Sequence, residues 1–211
     1  MIELLKAIDT KLFLFFNGNH TAFMDSVMSA VTDKYTWIPF YFILLFFVWR
    51  RTKITEKRNS TINTKDAILN SKSSILNSNI LLVLLSVAIL ITLSDQISVH
   101  LFKETFQRYR PCHNLLLKDK VHVLDKHCGG LYGFVSSHAA NTFALTTFLI
   151  FFFRNKYFAL FMYLWAAFVS YSRVYAGVHY PFDVLGGMVL GIFLGLIAYK
   201  FYFHYSKEYA V

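Results

Sequence analysis

Two histidines, His138 and His179, stand where apolar helices are expected to begin, and each has neighbours suited to handling a phosphate. Ser136-Ser137-His138-Ala139-Ala140-Asn141 leads into an apolar run, with Ser136 as the expected N-cap. A helix start offers unpaired N–H groups and a positive dipole end, which suit a phosphate oxygen, and a histidine beside that anion can give or take a proton. Further on, Ser172-Arg173 closes one apolar run, and His179 and Asp183 flank Tyr180-Pro181, where the last helix is expected to start. At that spacing the carboxylate can hold one imidazole nitrogen as N–H and leave the other free to attack. A third group, Lys103 with Arg110-Pro111, presents two cations on one face if the helix carrying Lys103 runs on to Pro111. Taken singly, each group has a plainer reading. Lys103 and Arg110 suit a helix end among lipid headgroups, His138 an incidental helix-start residue, His179 an interfacial hydrogen-bonder and Asp183 a residue stabilised by the helix dipole. The case for a site rests on all three reaching one surface.

Membrane helices are the elements that would bring them there. Of 211 residues 56% are hydrophobic and 23 are Phe, more than the interior of a soluble chain of this length can hide. Tyr35 to Trp49, Asn79 to Phe102, Tyr157 to Ala176 and Phe182 to Phe203 approach or reach the length of a span, and Ala139 to Phe153 is a shorter fifth. Before them, apolar residues at Ile2, Leu5, Ile8 and Leu12 alternate with Glu3, Lys6 and Asp9 at helical period. Asn17-Gly18-Asn19 then breaks the pattern, and a second short helix follows Thr21 as N-cap. A span across Leu12 to Ala30 would bury Asn17, Asn19, His20 and Asp25 in hydrocarbon, so both helices are read as lying along the surface. The stretch lacks the charged lead-in and small-residue cleavage site of a signal peptide. The expected fold is an all-α integral membrane protein with about five to six transmembrane helices. Residues 1–34 would be interfacial, and 35–211 the transmembrane domain with an outer loop over 103–138.

The net charge of +9 falls in connecting loops rather than along an amphipathic face, which argues against nucleic acid as a partner. Arg50, Arg51, Lys53, Lys65 and Lys72 mark the loop after the first span as cytoplasmic, and alternation then places all three polar groups outside. The loop assigned to the outside is itself basic, with Arg108, Lys118, Lys120 and Lys126, so charge alone does not decide the orientation. Cys112 and Cys128 fall in that loop and would close a disulfide ring in an oxidising compartment. His113, His122 and His127 lie near them, but the spacing matches no tight zinc pattern, and no metal site is expected.

Lys103 with Arg110-Pro111, Ser136-Ser137-His138, and Ser172-Arg173 with His179 and Asp183 resemble the three motifs of the type-2 phosphatidic acid phosphatase family, K-x6-R-P, P-S-G-H and S-R-x5-H-x3-D. The match covers about half the chain, in the family's order and spacing. Val135 stands where the family has Pro, and Ser137 where it has Gly. A side chain there restricts backbone approach to a phosphate and also adds a hydroxyl.

The resemblance implies a cofactor-free, metal-independent phosphatase of the bacterial inner membrane with its site facing outward. Its substrate would be a lipid phosphate or diphosphate, such as undecaprenyl diphosphate, phosphatidylglycerophosphate, phosphatidic acid or lipid A. It further implies His179 as nucleophile, Asp183 as its orienting carboxylate and His138 as proton donor, with Lys103, Arg110, Arg173, Ser136 and Ser137 around the phosphate. The resemblance extends to vanadium haloperoxidases, whose soluble character does not suit these apolar runs. The alternative class is a carrier that binds phosphorylated lipids without hydrolysing them; it needs the cations but not the histidines. Asp95 and Gln96 lie inside the second span, and Asp95 is read as a structural partner that orients Lys103 or bonds a neighbouring helix.

Overall fold

The computed structural model describes residues 2–62, 74–117, 119–124 and 128–206. Lys65 and Lys72 of the basic loop, and Lys118, Lys126 and His127 of the outer loop, lie outside the described residues. Among the described residues every regular element is helical. Helix α1 spans Ile2–Gly18. It runs through Asn17, expected to break it, because the Asn17 amide is fully occupied. Nδ2 donates to the carbonyls of His122 and Tyr175, and Oδ1 accepts from the His122 N–H, all at 2.8 Å. Helix α2, Ala22–Thr32, starts as the spacing predicts, with Thr21 Oγ1 accepting from Met24 N–H at 3.2 Å. A 3-10 turn at Tyr35–Trp37 leads into α3, Ile38–Ile62.

Helix α4, Ser74–Gln96, continues through a π-helical stretch, Ile97–Lys103, into the single turn α5, Glu104–Phe106. It ends there, where Gln107 takes a left-handed conformation with φ 46°. Lys103 and Arg110 therefore do not share a helical face. The backbone after Gln107 pairs instead with residues 131–133: Arg110 N–H donates to the Leu131 carbonyl at 3.0 Å, and Gly133 N–H to the Arg108 carbonyl at 2.8 Å. Three more helices follow, α6 (Ser137–Phe153), α7 (Lys156–Tyr175) and α8 (Pro181–Tyr205). Ser136 and Tyr180 occupy the expected N-cap positions of α6 and α8.

Helix α6 is the centre of the bundle, flanked by α4, α7 and α8. Its Phe143, Phe148 and Phe152 pack with Leu90, Met162, Trp165 and Tyr202 in the principal core. Large apolar side chains cover the outside instead, among them Phe42 and Phe46 on α3, Ile89 and Leu93 on α4, and Leu160 and Leu164 on α7. That inversion suits lipid rather than water as the surrounding solvent. By length and apolar content alone, Ile80–Phe106 and Pro181–Tyr205 qualify as spans, and α2 with the first part of α3, bent by 71°, forms a third if the pair is one broken span. Helix α6 is shorter, and it is so enclosed by its neighbours that it does not depend on lipid contact along its length.

One side of α8 carries Leu185, Val189, Phe193 and Ile197, all exposed, while Gly187, Gly191 and Gly195 face α6. A Cβ on these glycines would stand 2.4 Å from the Ser136 carbonyl oxygen, 2.3 Å from that of Ala140 and 2.6 Å from that of Ala144. The obstacles are backbone atoms and cannot swing aside, so the two helices touch main chain to main chain. Gly191→Val is expected to lower stability by about 3 kcal/mol through overpacking, read as a thermal unfolding midpoint in detergent. Gly130→Ala, at a position with open space around it, serves as the control.

Candidate active site

The chain ends that meet at one end of the bundle are the C-termini of α5 and α7 and the N-termini of α6 and α8. A cavity of about 1430 Å³ opens there, and its lining includes Lys103, Arg110, Ser137, His138, Arg173 and His179. Lys103 arrives from the π-helical stretch, and its Nζ donates to Ser137 Oγ at 2.7 Å. The hydroxyl that replaces the family glycine thus accepts from a cation of the site. Arg110 comes from the paired segment, its Nε donating to the Tyr132 carbonyl at 3.2 Å. Arg173, in the last turn of α7, donates through Nη1 to Thr32 Oγ1 of α2, so an N-terminal helix forms part of the wall. Ser136 departs from the expected arrangement. It is fully buried at the α6–α8 contact, its N–H donating to the Asp183 carbonyl at 2.9 Å, and it does not line the cavity.

His179 is 2% exposed, and its Nδ1 lies 3.5 Å from Asp183 Oδ2 without a hydrogen bond. Burial, reinforced by the charges of Arg110, Arg173 and Lys103, holds the His179 imidazole well below its usual pKa and hence neutral. A neutral imidazole keeps the lone pair that a nucleophile needs.

The carboxylate behind it is held by residues that sequence reasoning passed over. Asp183 Oδ2 accepts the Tyr180 N–H at 3.0 Å, and Oδ1 accepts Arg108 Nη1 at 2.8 Å. The other arm of Arg108 donates from Nη2 to Asp9 Oδ2 at 2.7 Å, while Asp9 Oδ1 accepts the Phe182 N–H at 2.9 Å. Both carboxylates are fully buried, and the guanidinium carbon sits 4.1 Å from the Tyr180 ring centroid. In the sequence Arg108 reads only as a loop cation, and Asp9 only as part of the polar face of α1. A planar donor fork between two carboxylates is an arrangement that Lys cannot reproduce. Gly133 also belongs here, since a Cβ on it would lie 2.9 Å from Asp183 Oδ2 and 3.5 Å from His179 Nδ1. The sequence signal for all three was weak, because the segments that meet are far apart along the chain.

Cys112 and Cys128 are joined by a disulfide. Cys128 and Gly129 line the cavity, and His113 Nε2 lies 3.1 Å from the Gly129 carbonyl. Cys112, His113 and Cys128 cluster closely enough to suggest a metal centre, but bonded sulfurs offer no thiolates to an ion. The bridge pins the loop that carries Arg110. Replacing both cysteines by serine is expected to lower stability by about 3 kcal/mol and to reduce kcat/KM several-fold as Arg110 loosens, measured by thermal unfolding and by phosphate release.

A sequence profile of the PAP2 superfamily matches residues 79–207. The lipid A 4'-phosphatase of Bacteroides thetaiotaomicron is 36% identical over 202 residues, which cover 94% of this chain and 79% of that protein. The lipid A 4'-phosphatase of Porphyromonas gingivalis is 30% identical over 203 residues, 96% of this chain and 76% of that protein. In overall fold the chain is similar to the crystal structure of a transmembrane PAP2-type phosphatidylglycerolphosphate phosphatase from Bacillus subtilis. The TM-score is 0.63 at 19% identity, covering 97% of this chain and 89% of the other.

Proposed function

The chain belongs to the PAP2 superfamily, and from that membership we propose that this membrane lipid phosphatase acts on a lipid A-type phosphate monoester, through His179, at the outer face of a bacterial inner membrane. The observation that carries the reading is the convergence of three cations and two histidines from separate segments on one cavity between apolar helices. Lys103, Arg110 and Arg173 take the non-bridging oxygens, supplying the charge stabilisation on which phosphoryl transfer depends. With Nδ1 beside Asp183, Nε2 of His179 is the free nitrogen. Its lone pair forms a bond to phosphorus as the bond from phosphorus to the lipid oxygen breaks, and His138, whose pKa burial and the charge of Arg173 hold down until the anionic phosphate beside it favours protonation, gives that oxygen a proton. His138 then takes a proton from water, whose oxygen attacks the phosphohistidine; the phosphorus–nitrogen bond breaks, releasing phosphate and restoring neutral His179.

The relatives' names favour lipid A over the other lipid phosphates, and their high coverage favours a shared headgroup site. The disulfide beside the cavity favours an oxidising compartment, as outside the cytoplasmic membrane. The test is phosphate release by the detergent-purified protein, with chelator present, from lipid A, undecaprenyl diphosphate, phosphatidylglycerophosphate and phosphatidic acid. The highest kcat/KM is expected on lipid A. A preference for any of the other three overturns the substrate, and no release from any of them overturns the activity.

A further inference from the structure

The cavity continues beneath the phosphate site, between α3, α4, α6 and α7, into a region where a lipid chain is expected and apolar walls would suffice. Its wall there includes Ile91, Leu145 and Val169, but also Asp95 on α4 and Trp165 on α7. Trp165 precedes Arg173 by just over two helical turns, about 12 Å along the axis. Asp95 precedes Lys103 by the same eight positions and lines the same cavity from α4. Trp165 is 6% exposed and wedged against Trp37, Phe40 and Tyr41, yet its Nε1–H has no hydrogen-bond partner. Asn141, one turn below His138 and also in the lining, has a buried Oδ1 without a partner. Unsatisfied polar groups are costly where hydrocarbon, not water, surrounds the protein, and intramembrane carboxylates tend to mark substrate paths.

We infer that Asp95 and Trp165, with Asn141 above them, form a second polar subsite for the linkage region of the substrate: an amide or hydroxyl on an acyl chain, set off from the phosphate by a headgroup such as a sugar. The inference rests on the phosphatase reading above. Trp165 donates to an acyl carbonyl oxygen, and Asp95 accepts from an amide N–H or a hydroxyl. A polyprenyl chain brings neither group and leaves the N–H and the carboxylate unanswered. The subsite thus selects acylated glycolipid phosphates over isoprenoid phosphates, where the catalytic layer sees the same anion in both.

The experiment measures kcat/KM on lipid A and on farnesyl phosphate for the wild type, Trp165→Phe and Asp95→Leu. Each variant is expected to lower the ratio of lipid A to farnesyl phosphate about tenfold, the effect of one lost buried hydrogen bond. An unmoved ratio, or equal loss on both lipids as when Asp95 serves only to position Lys103, overturns the inference. A second arm needs no variant: with the wild type, an acylglucosamine phosphate whose amide and hydroxyl are replaced by methylene groups is expected to lose about tenfold in kcat/KM. No loss in that arm also overturns it. Wild-type turnover of farnesyl phosphate but not lipid A removes the subsite and leaves the phosphatase; release from neither removes the subsite, and the phosphatase falls with it only if the other three lipids are silent too.

Discussion

Replacing His179 with alanine is expected to abolish phosphate release from every lipid while leaving lipid binding and the fold in place. The nucleophile has no substitute nearby, since His138 serves the leaving oxygen in the proposed scheme. The buried carboxylate also survives the change. Asp183 keeps the Tyr180 N–H and Arg108, so no new uncompensated charge is created. Removing one of the cations is a smaller insult: Arg173→Ala is expected to cost about 3 kcal/mol of transition-state stabilisation, roughly a hundredfold, because two positive charges remain. Retention of normal release by His179→Ala on a lipid phosphate would falsify the mechanism. The sign of the pH dependence follows from the depressed imidazole pKa. In the proposed scheme neutral His179 is the active form, so its protonation is expected to remove activity only well below the ordinary value near 6.5. The acid limb of kcat/KM, corrected for the substrate's own phosphate ionisation near 6, is the measurement.

Arg108→Ala is the second large effect expected, and it reaches both stability and rate. Breaking a buried ion pair by removing one partner costs about 3–5 kcal/mol, and here two fully buried carboxylates lose the same cation. The thermal midpoint in detergent should drop accordingly. At least one carboxylate is then driven to take up a proton, and a neutral Asp183 no longer favours the charge that grows on His179 during attack. The predicted signature is a fall in kcat of a hundredfold or more with little change in KM, because Arg108 does not touch the phosphate. Arg108→Lys restores a charge but not the fork, so it should recover stability more than rate. Asp9→Asn tests the outer half of the bridge; a loss of kcat there would place α1 in catalysis even though it contributes no group to the cavity. Unchanged kinetics in Asp9→Asn and Arg108→Lys would reduce the bridge to a structural one.

The parts of this arrangement that were legible in the sequence are those set by local chemistry. Thr21 and Pro181 announce helix starts through groups within one turn, and the pairing of His179 with Asp183 depends on four consecutive steps of the chain. The end of α5 was not legible: nothing in Glu104 to Pro111 says that Gln107 turns left-handed, because the cause is pairing with residues 131–133. Asp9 and Arg108 were invisible for the same reason, their contact spanning 99 positions of sequence. The glycines of α8 permit close packing by their small size, but only the structure identifies α6 as the partner. Ser136 shows the limit of a motif: its place at the helix start was predictable, but its burial against α8, outside the cavity lining, was not.

The bridge from Asp9 through Arg108 to Asp183 joins α1 to α8. Asp9 is synthesised before Arg108, and Arg108 before Asp183. Until α8 has been inserted, a nascent chain carries Lys103, Arg110, His138 and Arg173 but lacks Asp183, the carboxylate proposed to orient His179. The proposed activity therefore depends on the insertion of α8, and a chain arrested before that helix is expected to be inert rather than a poorly controlled hydrolase in the membrane.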